Sequence, residues 1–432
     1  MEHLLRKSDE LSRRHFISNS AKTLLGVGFL PSMMPHTLLA GLEKEGVAAP
    51  RKPTAKKVIY LYMSGGMTHL DTLDPKPGTD EQGPVEAIAT KADGIQVSEY
   101  LPMLAQEMDK AVLIRSLSST QGAHEQGNYY MHSSYQMRGT IKHPGLGAWV
   151  ERLDGKKNRT LPASVRIGGS SRGSGSGFME SKYAPLVLGS ANEGLKNSKI
   201  AVSEKEFQDR LMLANQFDEA FHGRYDHKDV RAYADMYQDA IRLMKSEDLK
   251  AFNLGHEKDE IRDEYGRNGF GQGCLLARRL IENDVRFVEV TMGGWDTHSN
   301  NFESVERRCS SLDQGIATLI RDLERRGMLD ETLVVLATEF GRTPRINQNN
   351  GRDHFPKAFS GLMAGGGISG GQVFGKTDES GMNIVENGVS VPDFNATIAY
   401  ALGLPLEERI YSGNGRPFTV ADKGQPVTSI FG

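Results

Sequence analysis

Cysteine is almost missing from this chain. Cys274 and Cys309 are the whole supply, which leaves room for at most one disulfide in an oxidising compartment; two buried free thiols in helix-like surroundings is the simpler reading. Neither sign of charge is in excess: a net charge of −3 over 432 residues gives no electrostatic footprint for nucleic acid. No repeat of the solenoid or propeller kind recurs. The one weakly apolar stretch near the start, Ala21 to Ala40, is interrupted by Pro31, Pro35 and His36, so it is too short and broken to span a bilayer as a stable anchor. The Gly/Ser-rich run from Gly168 to Gly177 lacks the Lys-Ser or Lys-Thr ending of a phosphate-cradling loop, which excludes a nucleotide site there. It reads as a flexible surface loop, with a rim over a crevice as the alternative.

Glycine, by contrast, is abundant, at 48 of 432 residues, and sits in loops, as expected of many shaped turns on a rigid scaffold. Ser12-Arg13-Arg14-His15-Phe16-Ile17 forms a twin-arginine pattern, with a basic amphipathic helix as the alternative. That export route carries folded proteins, which fits a metal loaded before export. Cleavage near Ala40 or Ala49 would release the protein to the periplasm or the exterior, with the twin-arginine translocation machinery as a transient partner. Residues 1–50 are therefore read as leader and linker, and 51–432 as a single domain with a Gly/Ser-rich loop (about 168–177) and a helical insert (about 204–265).

Four apolar, β-branched runs read as buried strands: Val58–Met63, Ala111–Leu117, Val285–Val290 and Thr332–Thr338. Helical patterns at Gly271–Asn283 and Ser304–Arg326 alternate with them, which predicts right-handed crossovers and a largely parallel sheet covered on both faces. Each strand exits into polar chemistry. The first delivers His69 and Asp71. The second enters the hydroxyl-rich turn Ser118-Ser119-Thr120, followed by His124. The third, after Gly293 and Gly294, presents Asp296 and His298, and the fourth leads to Glu339 and Arg342, with Arg352-Asp353-His354 close behind. Carboxylates and imidazoles at strand C-termini meet in the crevice where open α/β sheets bind ligands. His69, Asp71, Asp296, His298, Glu339, Asp353 and His354 are hard or borderline ligands without a thiolate, suited to one or two ions of Zn, Mn, Mg or Ca. Taken singly, each also has a plain structural reading as a cap, an ion pair or a satisfied core histidine.

The motifs Gly294-Trp-Asp-Thr-His298, Thr338-Glu-Phe-Gly-Arg-Thr-Pro344, Gly351-Arg-Asp-His354 and Val391-Pro-Asp-Phe-Asn-Ala-Thr397 resemble those of an exported family known as domain of unknown function 1501, across essentially the whole mature chain. The resemblance implies a branch of the alkaline phosphatase and sulfatase superfamily, with a three-layer α/β/α sandwich and metal ions at strand ends. It implies that Asp296 and His298 share one metal, that Glu339 and His354 stand at further metal positions, and that Asp71 or His69 replaces the acid after the first strand. Thr120, four residues before His124, is similar in placement to the nucleophile of the phosphodiesterase branch, with Ser119 or Ser118 as neighbours. The chain departs from the superfamily in Met63-Ser-Gly-Gly66 after the first strand, in Phe340 after Glu339, and in lacking a Cys-x-Pro-x-Arg sequence.

These features together predict an exported metal-dependent hydrolase of phosphate or sulfate esters, the substrate glycan-linked in one version, with Arg342 and Arg352 as anion clamps. The alternatives are a non-catalytic binder of sulfated or phosphorylated glycans on the same scaffold, and a structural partner of an exported enzyme complex.

Overall fold

The computed structural model describes residues 55–169, 173, 175–196, 198, 200–222 and 237–432. The twin-arginine segment lies outside the described residues, as do parts of the Gly/Ser-rich loop and of the helical insert. Among the described residues nine strands form the central sheet. In chain order they are β1 (Lys57–Met63), β2 (Ala111–Ser118), β3 (Ser164–Ile167), β4 (Leu186–Leu188), β5 (Phe287–Met292), β6 (Thr332–Ala337), β7 (Phe359–Ala364), β8 (Gln372–Phe374) and β9 (Val389–Ser390). Their spatial order is β8-β2-β7-β6-β1-β5-β3-β4, with β9 also beside β2. All pairings are parallel except those of β7, which runs antiparallel between β2 and β6.

β1 shows why the strands read as continuous apolar runs. Ile59, Leu61 and Met63 enter the core on one face, and Val58, Tyr60 and Tyr62 the core on the other, so neither face tolerates a polar alternation. The first face is covered by helices α3 (Gly269–Glu282) and α4 (Asn301–Arg325). Along α4, Val305, Cys309, Leu312, Ile316, Leu319 and Leu323 recur at three- and four-residue steps and are buried, the apolar stripe of a helix laid on a sheet. The second face is covered by α1 (His124–Ser133), α2 (Leu146–Asp154) and α5 (Val391–Ala401). Ser390 starts α5 through a reciprocal capping box with Asp393, which satisfies amides that the helix itself leaves free.

The result is the expected α/β/α layering around a largely parallel sheet. The residues on either side of the Gly/Ser-rich loop supply β3, paired with β5, and the edge strand β4. Cys274 and Cys309 are both buried free thiols. Among the described residues no helix is long and apolar enough to cross a membrane.

Candidate metal centre

β6, β1 and β5 are sheet neighbours running in one direction, so their exit loops emerge side by side. Two glycines let those loops close on one another. A Cβ on Gly65, at φ +120°, would sit 2.6 Å from the Asp296 amide nitrogen, and one on Gly351 would sit 2.0 Å from the His298 carbonyl oxygen. Backbone bonds from Arg352 N to Thr297 O (3.0 Å) and from Asn301 N to Asn350 O (2.8 Å) complete the clamp. Residues Gly341–Arg342 and His354–Phe355 pair as a two-residue antiparallel ribbon, and this ribbon places His354 beside Asp296.

Three imidazoles converge on Asp296. His124 Nε2 lies 3.3 Å from Asp296 Oδ2, while His298 Nε2 and His354 Nε2 lie 3.2 and 3.4 Å from Oδ1. One ligand atom from each of His124, Asp296 and His354 falls within 4.8 Å of the others. Every ring is held from behind through Nδ1: His124 by Glu339 Oε1 at 2.8 Å, His298 by Asp353 Oδ1 at 2.7 Å and His354 by the Gly122 carbonyl at 2.8 Å. Each of these partners only accepts, so each Nδ1 carries the hydrogen in the neutral ring, and each Nε2 turns a lone pair toward the carboxylate. The His298 and His354 Nε2 atoms are themselves 3.1 Å apart, and His124 Nε2, although close to Asp296, has no well-aligned hydrogen bond. Lone pairs directed at a carboxylate and at each other repel unless a cation or added protons lie among them. Carboxylate or carbonyl on Nδ1 with Nε2 turned inward is how metal-binding histidines are oriented.

The charges are set by the same contacts. Partial burial disfavours the Asp296 ion, but the Arg342 hydrogen bond and charge, with His124, outweigh it and hold the carboxyl down at about 2. The Glu339 hydrogen bond raises His124 despite its partial burial. Burial lowers His354, against the Gly122 carbonyl, and Arg342 adds to the effect. Glu339, fully buried, also accepts from the Gly65 amide at 2.8 Å, and its Oε2 faces the hydroxyls of Tyr62 and Thr338 at 3.2 Å.

Of the residues singled out in the sequence, the structure brings together His124, Asp296, His298, Glu339, Asp353 and His354. It places others elsewhere. Asp71 is fully buried in a two-point bond with Arg352, Nε to Oδ2 and Nη2 to Oδ1, both 2.8 Å, and also accepts from Asn301 and Thr68. All five Arg352 N–H groups are used, the rest on the carbonyls of Thr343, Pro344 and Glu81, so this guanidinium ties loops together and has no donor left for an anion. Arg342 is likewise buried, bonded to Asp296 Oδ1 at 2.6 Å and to the carbonyls of Gly65, Gly66 and Arg352; it braces the carboxylate. His69 is buried against the Gly381 carbonyl at 2.9 Å, and burial lowers its pKa. Ser119 and Thr120 lie in the loop whose Gly122 supports His354, yet the Ser119 hydroxyl turns to the backbone at Gln121. The Thr120 hydroxyl meets Gln121 Nε2 at 2.9 Å and Tyr130. Sequence reasoning gave His124 a catalytic part rather than a ligand's, and it passed over Tyr62, Thr338 and Asn301. Their pattern as buried polar groups at strand and helix ends is the only local signal they carry.

The sequence matches the family described as Protein of unknown function (DUF1501) over residues 55–431. No curated protein sequence matches the chain. Among solved structures, the chain is similar to the PsFucS1 sulfatase from Pseudoalteromonas sp., at 14% identity over 87% of this chain and 73% of that one, with a TM-score of 0.41. It is similar also to the phosphonate monoester hydrolase SpPMH from Silicibacter pomeroyi, at 12% identity over 87% and 76%, TM-score 0.38. A third is the TAB5 alkaline phosphatase with Mg bound, at 13% identity over 82% and 99%, TM-score 0.36.

Proposed function

Since the chain belongs to the family described as Protein of unknown function (DUF1501), whose description assigns no activity, we propose from the site itself that it is a metal-dependent hydrolase of phosphate or sulfate esters. The observation that carries this reading is the convergence of three Nε2 lone pairs on the Asp296 carboxylate, each ring oriented by an acceptor at Nδ1. His124, Asp296 and His354 would hold a divalent cation, with His298 at its edge, and the nitrogen and oxygen donors suit zinc or manganese.

Two neutral imidazoles and one carboxylate would leave a bound divalent ion with net positive charge, which favours an anionic ester oxygen. Such an ion neutralises the ester and acidifies an attacking oxygen. The chain's own residues do the remaining work. Glu339, Gly122 and Asp353 fix the rings, Arg342 locks Asp296, and His298, half-exposed with Asp353 behind it, is placed to move a proton at Nε2. Thr120, with Ser119 beside it, is the hydroxyl nucleophile of this reading, and a water is the nucleophile if Thr120→Val retains turnover. A second reading, a binder without turnover, draws on one observation: among the described residues neither Ser119 nor Thr120 hydrogen-bonds a residue of the cluster.

The test is elemental analysis of protein purified without chelator, followed by assays on aryl phosphates and aryl sulfates. Bound divalent metal that is lost in Asp296→Ala, together with metal-dependent turnover, is expected. Metal with tight ester binding and no turnover selects the binder. No metal after incubation with Zn, Mn, Mg and Ca rejects both. We also propose export by the twin-arginine route, resting on Arg13 and Arg14; cell fractionation of an Arg13→Lys, Arg14→Lys variant should find it retained in the cytoplasm, and unchanged export would refute the route.

A further inference from the structure

A second feature lies along the same helix that begins with His124. A cleft of about 760 Å³ opens between the segment after α1 and the loops following α5. Its floor is aromatic and fixed. The Tyr135 ring stacks on His143 at 4.4 Å with only 9° between planes, and Phe418 packs edge-on against both. The Tyr135 hydroxyl donates to the Thr419 carbonyl (2.8 Å) and accepts from its amide (3.0 Å). The rim is cationic: Arg138, Arg409, Arg416 and Lys423 are exposed around the cleft and Asp422 is its single acid.

None of the four cations forms an ion pair with a carboxylate among the described residues; Arg138 and Lys423 act on Asp422 only at longer range. This is unusual for the surface of a chain whose overall charge is slightly negative, and elsewhere its basic residues are repeatedly paired. Asp422 and Lys423 are moreover consecutive non-glycine residues at positive φ, 44° and 66°. Left-handed backbone at such residues is disfavoured and concentrates at ligand sites, and here it holds one of the rim cations.

The cleft and the cluster are mechanically joined. Tyr130 lines the cleft six residues after His124, about 9 Å along the helix axis at 1.5 Å per residue, and its hydroxyl meets that of Thr120. We infer that this cleft is a second anion subsite: it takes a sulfate, phosphate or carboxylate group on an elongated saccharide ligand whose scissile ester lies at the Asp296 cluster. The inference rests on the ester reading of that cluster. Unpaired guanidinium groups recognise oxyanions through two-point hydrogen bonds, and an open cleft with a cationic rim over a fixed aromatic floor suits a polyhydroxylated, charged body better than a lipid tail. The substrate class is thereby narrowed to polyanionic glycans rather than simple monoesters.

Calorimetric titration with a disulfated disaccharide, its monosulfated counterpart and inorganic sulfate tests this at fixed ionic strength. Wild type should bind the disulfated sugar at least tenfold more tightly than the monosulfated one. Arg409→Ala, Arg416→Ala, both at exposed positions, should bring that ratio close to one while leaving turnover of a small aryl ester unchanged. An unchanged ratio in this variant, or no preference in wild type, overturns the subsite. A His124→Ala, His354→Ala protein separates the two readings. If it loses metal and turnover that wild type shows, the ester reading stands; if wild type already lacks both, and disulfated-sugar binding persists in the variant and still depends on Arg409 and Arg416, the ester reading is rejected and the cleft is kept as an anion site.

Discussion

Replacing Glu339 by glutamine is the sharpest test of how the cluster is held. Glu339 Oε1 accepts from His124 Nδ1 and from the Gly65 amide, each at 2.8 Å, and Oε2 faces the Tyr62 and Thr338 hydroxyls at 3.2 Å. In Glu339→Gln the amide oxygen stays with the two N–H donors, and its NH₂ group turns to hydroxyls that can accept instead, Tyr62 still donating to Asn128. The hydrogen bonds survive and only the negative charge behind His124 is removed. Loss of such an orienting carboxylate weakens metal binding by about 10–100-fold, or about 1.4–2.8 kcal/mol. Competition with a chromogenic chelator at pH 8, where protons compete little for the imidazoles, measures this directly. Thermal melting with excess chelator should show the metal-free variant within a few degrees of wild type. Unchanged metal affinity in a folded Glu339→Gln protein would refute the reasoning that ring orientation from behind tunes the site.

Three further outcomes are expected. Arg352→Ala leaves the Asp71 carboxylate buried without its cation and should cost about 3–5 kcal/mol in denaturant unfolding, much of it recovered in Arg352→Met, Asp71→Leu; loss of metal from a still-stable variant would contradict the structural role of this pair. His143 is held neutral to about 4, chiefly by burial and then by the Arg138 charge, so between pH 6.5 and 4 the unfolded chain binds the extra proton, and stability falls as pH falls, by roughly 3 kcal/mol at most. The same slope in His143→Gln across that window would disprove the assignment. Gly65→Ala forces a left-handed residue against the Asp296 amide, at about 1–3 kcal/mol of backbone strain plus the clash, and metal content should drop with stability; full metal occupancy would show that the loops do not need this approach.

Much of the scaffold and part of the site were legible because both rest on local signals. β1, β2, β5 and β6 are buried on two faces, so their sequences are apolar throughout, and Gly65, just after β1, marks where its exit loop meets the backbone at Asp296. The direction of β7 was not legible, since a fully buried run of Phe, Leu, Met and Ala looks the same either way. β3 and β4 are too short to carry a period. Nor could sequence separate Asp71 from the ligand candidates: its partner Arg352 lies 281 positions away, and a carboxylate at a strand exit has one appearance whether it meets a metal or an arginine. Arg342 and Arg352 show the converse, cations near a site whose donors are engaged by backbone carbonyls and by the Asp296 and Asp71 carboxylates. His124 opens the helix after β2, a strand not adjacent to β1, so its meeting with Asp296 depends on the sheet order, which no local pattern reveals.

That antiparallel strand has a consequence for how such a site can change. Because β7 runs back beside β6, the segment carrying Glu339, Arg342, Asp353 and His354 leaves and re-enters the sheet at the same end of these two strands, with no crossover helix between. Both feet of the segment are anchored in the sheet, and its middle is tied to neighbouring loops through Asn350 and Arg352. Within those ties its ligands can be exchanged without shifting any strand's register, so the metal chemistry of the site can change while every other layer of the protein stays as it is.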